Sequence, residues 1–260
     1  EGAFGEFPGY MAQRDYSYCM EVTAITMRRK PTYLAIISQL PPSESSKMRH
    51  IGRSAGALKM LINEGFANAI DVNYFERVGA NAIVAVKIKK NGPDDGKNVL
   101  RALTTKFIGK IAIVVDEDIN IYDLENVMWA VAFRSQPYRD VEIVDVPSFP
   151  LDPSAVAPGQ PRGNVDGRLA PRSSGLLIDA TMPWPYPPLS LPKREYMERA
   201  IEIWNDLKLP ALNLKEPWFG HALAYWTAEE DEEAALALKG RHYETGEKLK
   251  KSRRDYNSIG

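Results

Sequence analysis

Two glutamates, Glu1 and Glu6, lie in the glycine-rich stretch Glu1-Gly2-Ala3-Phe4-Gly5-Glu6-Phe7-Pro8-Gly9-Tyr10. Two carboxylates held close together on a rigid turn cannot both ionise freely, so one can keep a proton near neutral pH and donate it in a reaction. The glycines at 2, 5 and 9 and Pro8 impose a tight backbone path, and Glu6, followed by the apolar Phe7, is the better placed of the two acids. A carboxylic acid beside an apolar aromatic substrate makes a usable general acid. The competing reading is a pair of solvated acids on a glycine loop.

Other chemistry is less well supplied. Asp116-Glu117-Asp118 follows an apolar run and could be read as a magnesium site, but no phosphate-binding loop accompanies it, so capping and surface roles are expected. His50, His221 and His242 form no metal-binding spacing, and neither a Ser-His-Asp grouping nor a G-x-S-x-G elbow is present. Gly92-Pro93-Asp94-Asp95-Gly96-Lys97 lacks Walker spacing and reads as a turn and helix start. Arg134, Arg139, Arg162, Arg168 and Arg172 show no focus on Glu6 and read as surface charges. Cys19, the single cysteine, excludes an internal disulfide, reads as a buried small hydrophobe, and suits a reducing cytoplasm.

The elements that must position these groups alternate. Met20 to Met27 and Thr32 to Ile37 read as two strands around Arg28-Arg29-Lys30-Pro31, completing a β-domain. Serines 43, 45 and 46 offer N-caps for a helix to about Gly65, with Met48, Ile51, Ala55, Leu58 and Ile62 at helical spacing. Ala82 to Ile88 reads as a strand, and Val99, Leu100, Leu103 and Phe107 mark a helix face. Lys110 to Val115 reads as a buried strand, Asp123 caps a helix, and Val141 to Val146 and Leu176 to Ala180 are strands. Residues 41–180 are therefore expected to be an α/β domain. Residues 147–174 read as an extended loop, 182–192 as a proline-rich extended segment, and 181–260 as an extended and helical tail with helices over about 193–207 and 227–251. Ile51 and Ala55 share a helix face, and Phe149 and Leu151 share a side if extended, so both pairs could line a pocket or simply pack the core.

The 260 residues can bury a sizeable core, and 33 basic against 34 acidic residues leave no field for nucleic acid or an anionic membrane. No apolar run approaches the roughly 18 residues of a membrane span.

The opening stretch resembles the ExxxxE segment of the UbiD family of prenylated-FMN-dependent decarboxylases. The resemblance continues in order through Pro41-Pro42-Ser43-Glu44, residues 110–119 and 123–130, Leu151-Asp152-Pro153 and Ile178-Asp179-Ala180-Thr181. It implies the end of a flavin-binding split β-barrel domain over 1–40, an α/β oligomerisation domain over 41–180, and a helical C-terminal tail. It implies reversible, non-oxidative decarboxylation of an aromatic or α,β-unsaturated acid, with Glu6 as proton donor and Glu1 as its partner in a Glu-Arg-Glu network. By the same resemblance Phe7, Ile51, Ala55, Phe149 and Leu151 line the substrate site and Lys110 lies near the flavin phosphate. Manganese(II) and potassium belong to the family's site, with ligands expected in a preceding part that this sequence lacks. That part is expected as a removed segment, as a companion subunit, or as a stretch of the same polypeptide of which this sequence is only a portion, and the segment 215–227 resembles the hydroxybenzoate and gallate branch. Further implied are a homo-oligomer, CO2 as product, and a flavin prenyltransferase supplying the cofactor. Two alternatives stay open: a non-catalytic assembly subunit, and a carboxylase of an aromatic compound.

Overall fold

The computed structural model describes residues 3–11, 19–104, 109–146, 151–155, 173–187, 189–212 and 226–250, with Leu249 described by its backbone alone. The chain divides into two compact units, Glu1–Pro185 and Tyr186–Gly260.

The first unit is built on a five-stranded mixed sheet. Its elements are helix α1 (Glu44–Asn63), strand β1 (Ala69–Tyr74), a short 3-10 turn (Glu76–Val78), β2 (Ile83–Ile88), α2 (Asp95–Thr104), β3 (Ile111–Asp116), α3 (Leu124–Arg134), α4 (Pro137–Asp140), β4 (Val141–Val146) and β5 (Ser173–Ala180). The strand order is β1-β2-β3-β5-β4, with β2, β3 and β5 parallel and the two edge strands antiparallel to their neighbours. Alternation along the strands divides the core. Val84, Val86, Ala112, Val114 and Leu177 face α1 and α2, packing with Ala57, Leu61, Val99 and Leu103. Ala85, Ile113, Val115, Ile178 and Ala180 face α3, packing with Val127 and Ala130. Helices thus cover both faces, which is why β3 reads as apolar throughout.

Local signals start the helices as expected. Ser43 caps α1 in a reciprocal capping box, its Oγ accepting from the Ser46 amide while Ser46 Oγ accepts from the Ser43 amide. Asp123 caps α3 by accepting from the Glu125 amide.

Four expectations are corrected. Residues 19–37 are in no strand and are exposed, because a strand exists only against a partner and a two-stranded ribbon alone is marginal in water. Cys19, at the start of that segment, is exposed and not buried. The sequence reading of a single final helix also fails: it is α6 (Ala228–Leu238) followed by α7 (Tyr243–Lys250). Gly240, at φ +70°, adopts the left-handed conformation and stops α6, with Arg241 N donating to Leu236 O. Finally, Arg134 is not a surface charge but is 2% exposed. In the second unit, α5 (Arg194–Asp206) lies where the sequence placed it.

Arg134 explains the acidic triplet. Its guanidinium donates to Asp116 Oδ2 at 2.9 Å and to both oxygens of Asp118 at 2.9 and 2.7 Å. Asp116 also accepts from the Met182 amide at 2.8 Å, which ties the end of β3 to the chain leaving β5. Burial pushes the Asp116 carboxyl above its ordinary value, against the pull of that amide and of Arg134. Two carboxylates consumed by one buried arginine are a structural clamp. Arg134→Met strands both in the interior and should cost about 3–5 kcal/mol, read as a large fall in the thermal unfolding midpoint. Replacing all three groups by apolar residues of similar volume should cost clearly less.

Candidate active site

Glu6 sits on a miniature hairpin. Gly5 bridges to Met11, the Glu6 amide donates to Tyr10 O at 3.0 Å, and Glu6 O accepts from the Gly9 amide at 2.9 Å. Gly9 takes φ +93°, and a Cβ there would lie 2.5 Å from Leu40 Cδ1. The positive φ is what requires glycine here, since the end of the exposed Leu40 side chain could move aside. A Cβ on Gly5 would lie 3.2 Å from Ser38 O, so the hairpin rests directly on residues 38–40. Those residues are stitched to the start of α1: Ser45 Oγ donates to Ser38 Oγ at 3.2 Å and the Ile37 amide donates to Glu44 at 3.3 Å.

The hairpin's other attachment is Phe7, only 4% exposed. One side of it meets Gly79, where a Cβ would stand 3.2 Å from Phe7 O and 3.4 Å from its ring. The Arg49 guanidinium of α1 lies 4.2 Å from the ring centroid, a contact worth about 0.5–2 kcal/mol. Glu6 itself is half-buried on this anchored turn. Helix α1 is held in turn to β1, with His50 Nδ1 donating to Tyr74 O at 2.7 Å. Ser54 Oγ accepts from the Tyr74 amide at 3.0 Å, and Arg53 lies 4.8 Å from the Tyr74 ring centroid.

Ile51 is 60% exposed and Ala55 is exposed, in a stripe with Met48 and Ile62. Helix α1 faces the core instead with Ala57, Met60 and Leu61. Packing within the described residues therefore does not account for the Ile51 and Ala55 positions. Leu151 is half-buried and has φ +70°. Beside it, Asp152 is buried and accepts on one oxygen from the Ser154 amide at 3.0 Å and from Lys110 Nζ at 3.3 Å, with Nζ 3.0 Å from its other oxygen as an ion pair. Burial pushes the Asp152 carboxyl up, but these donors outweigh it and hold the carboxyl below its ordinary value. Lys110, expected near a flavin phosphate, is thus engaged with Asp152 and Ser154. Glu1, Phe149, Phe107, Trp218, His221, Arg162, Arg168 and Arg172 lie outside the described residues. Among the described residues, no three His, Cys, Asp or Glu side chains gather as a metal site, and no helix is long and apolar enough to cross a membrane.

Sequence reasoning missed Arg49 and Gly79 because their significance lies in a tertiary contact with Phe7. The positive φ of Gly79 at the end of the 3-10 turn marks it only once the backbone is known. Gly79→Ala forces a Cβ into a left-handed position against Phe7 and should destabilise by about 1–2 kcal/mol. Hydrogen exchange should also speed up at the Glu6 amide, while exchange in β3 stays slow.

Comparison with known proteins agrees with this arrangement. Residues 47–180 match the family model described as the 3-octaprenyl-4-hydroxybenzoate carboxy-lyase C-terminal domain, and residues 1–41 match the Rift-related domain of the same carboxy-lyase. The chain is 32% identical to a phenolic acid decarboxylase of Sedimentibacter hydroxybenzoicus, over 72% of this chain and 37% of that protein. An uncharacterised protein of Archaeoglobus fulgidus is 29% identical over 80% of this chain and 43% of its own length. Among solved structures, the UbiD-class enzyme HmfF of Pelotomaculum thermopropionicum, in complex with FMN, has a TM-score of 0.61 at 32% identity, covering 77% of this chain and 43% of that one. The Sedimentibacter hydroxybenzoicus vanillic acid decarboxylase in open form has a TM-score of 0.59 at 30% identity, covering 80% of this chain and 43% of that one. The chain thus spans less than half the length of the relatives it matches, and it belongs to the UbiD family.

Proposed function

We propose that this chain supplies the proton-donating turn of a UbiD-type decarboxylase acting on an aromatic carboxylic acid, with Glu6 as the acid. The observation that carries the reading is the anchored hairpin: Glu6 is half-buried beside Phe7, whose ring packs under Arg49 of the helix that displays Met48, Ile51 and Ala55. An acid held on a rigid turn next to an exposed apolar stripe is suited to delivering a proton to a flat apolar substrate. The names of the relatives, a phenolic acid decarboxylase and a vanillic acid decarboxylase, favour a hydroxyaryl acid as substrate.

Prenylated FMN is the cofactor of this reading, and when bound it supplies the electron sink for loss of CO2. Lys110 fits a role at its phosphate. The ammonium has three donors, Asp152 and Ser154 occupy two, and 35% of the side chain stays exposed. The chain's own part of the reaction is then definable. Ile51, Ala55 and Leu151 would exclude water from the ring and orient it, and Glu6 would pass its proton to the carbon that lost CO2. Run in reverse, Glu6 would take that proton, so carboxylation is the same step under high CO2. Phe7, read from sequence as a substrate contact, would act in this scheme by fixing Glu6. Residues 19–37 would pair as strands with the flavin-binding part of the whole protein, and Glu1 would complete the acid pair. Manganese and potassium would be held by residues of that same part.

Glu6→Gln, made in the whole protein with any companion subunit and prenylated FMN supplied, should lower product formation by about 10²–10⁴-fold with the unfolding midpoint unchanged. Undiminished product formation would reject Glu6 as the proton donor and leave an assembly role for this chain.

A further inference from the structure

Leu151 holds a left-handed backbone conformation, φ +70°, which bulky residues avoid. Strain of this kind persists only where the surroundings impose it. The three residues that follow are held in place by a set of hydrogen bonds. Asp152 is 5% exposed, and one of its oxygens accepts both the Ser154 amide at 3.0 Å and the Ser154 hydroxyl at 2.8 Å. The Ala155 amide closes the turn on Asp152 O at 3.3 Å. Lys110 reaches across from the start of β3 and donates to that same Asp152 oxygen at 3.3 Å, with Nζ 3.0 Å from the other oxygen as an ion pair, and it also contacts Ser154 Oγ. Lys110 is itself immobilised, its amide donating to Ala82 O at 2.8 Å and its carbonyl accepting from the Leu176 amide at 2.7 Å. The side chain thus reaches out from a backbone pinned between β2 and β5.

We propose that Lys110, Asp152 and Ser154 form a clasp that holds Leu151 in its left-handed conformation and so sets the size of ring the site accepts. Lys110, Asp152 and Ser154 are positioning residues, and Leu151 is the side chain they aim. A left-handed L-residue is disfavoured by about tenfold, so loss of the clasp lets Leu151 relax into an ordinary conformation and swing its side chain away. The selectivity part rests on the function proposed above, whereas the clasp itself does not.

The experiment compares wild type, Lys110→Met and Lys110→Arg by two readouts. Without cofactor, hydrogen exchange at the Ser154 and Ala155 amides should accelerate by about tenfold in Lys110→Met and recover in Lys110→Arg, with exchange in β3 unchanged. In the whole protein with prenylated FMN at saturating concentration, the ratio of KM values for a one-ring and a fused two-ring aromatic acid should shift toward the larger acid in Lys110→Met, whatever fall in kcat the two acids share. Lys110→Arg should restore the wild-type ratio. Unchanged exchange in Lys110→Met overturns the clasp whatever the activity. Faster exchange with an unmoved KM ratio overturns its control of ring size. A wild-type protein that decarboxylates no aromatic acid defeats the functional reading and the selectivity claim together, while the exchange result still decides the clasp.

Discussion

The wedge of Phe7 between Gly79 and Arg49 is the constraint on which the functional geometry depends. A glutamate on a glycine-rich turn is ordinarily a solvated and mobile acid, and nothing in the backbone of Gly5 to Gly9 alone would aim it. Burial of the neighbouring ring converts that turn into a fixed mount. The missing Cβ of Gly79 makes room for Phe7 on one side, and the guanidinium of Arg49 covers it on another. Helix α1 is capped at Ser43 and held to β1 through His50 and Ser54. The position of Glu6 is therefore inherited from α1 and the central sheet through the Phe7 ring and through residues 38–40.

The sheet in turn is locked at the C-terminal ends of its parallel strands. Lys90, just beyond β2, donates to Thr181 Oγ1 and Met182 O. Asp116, at the end of β3, accepts from Met182 N and Arg134. Asp179, in β5, accepts from the amide and hydroxyl of Thr181. Asp179 packs so closely on Gly96 that a Cβ there would lie 2.4 Å from its carboxylate. Carboxylates at strand ends often serve metals or ligands, but here they are spent on joining β2, β3 and β5. In the function proposed here, chemistry falls instead to the turn carrying Glu6, to α1 and to the Leu151 segment.

Much of this was legible in the sequence where a local signal coincides with the tertiary result. Ser43 and Asp123 announce α1 and α3, and the apolar run at 111–115 announces a strand covered on both faces. Strand β1 was missed because Asp71 and Asn73 interrupt its apolar pattern; Asn73 is nonetheless buried, its amide donating to Ile121 O at 2.7 Å. A buried polar group inside a strand looks like a loop residue until its donor's partner, distant in sequence, is known. Arg134 was misread for the same reason, since its carboxylates lie 16 and 18 residues away. Of the proposed site, the motif singles out Glu6 and the spacing shows an apolar face on α1 without saying whether that face is buried, while the contacts of Gly79, Arg49 and Asp152 exist only in three dimensions.

The most direct test of the central claim is an experimental structure of the whole protein with a bound aromatic acid or unreactive analogue, in which the distance from the Glu6 carboxyl to the carbon bearing the carboxylate is measured. The account predicts a separation of about 3–3.5 Å, with Phe7 still seated between Gly79 and Arg49. A Glu6 side chain directed into solvent, with the ligand bound elsewhere, would contradict it.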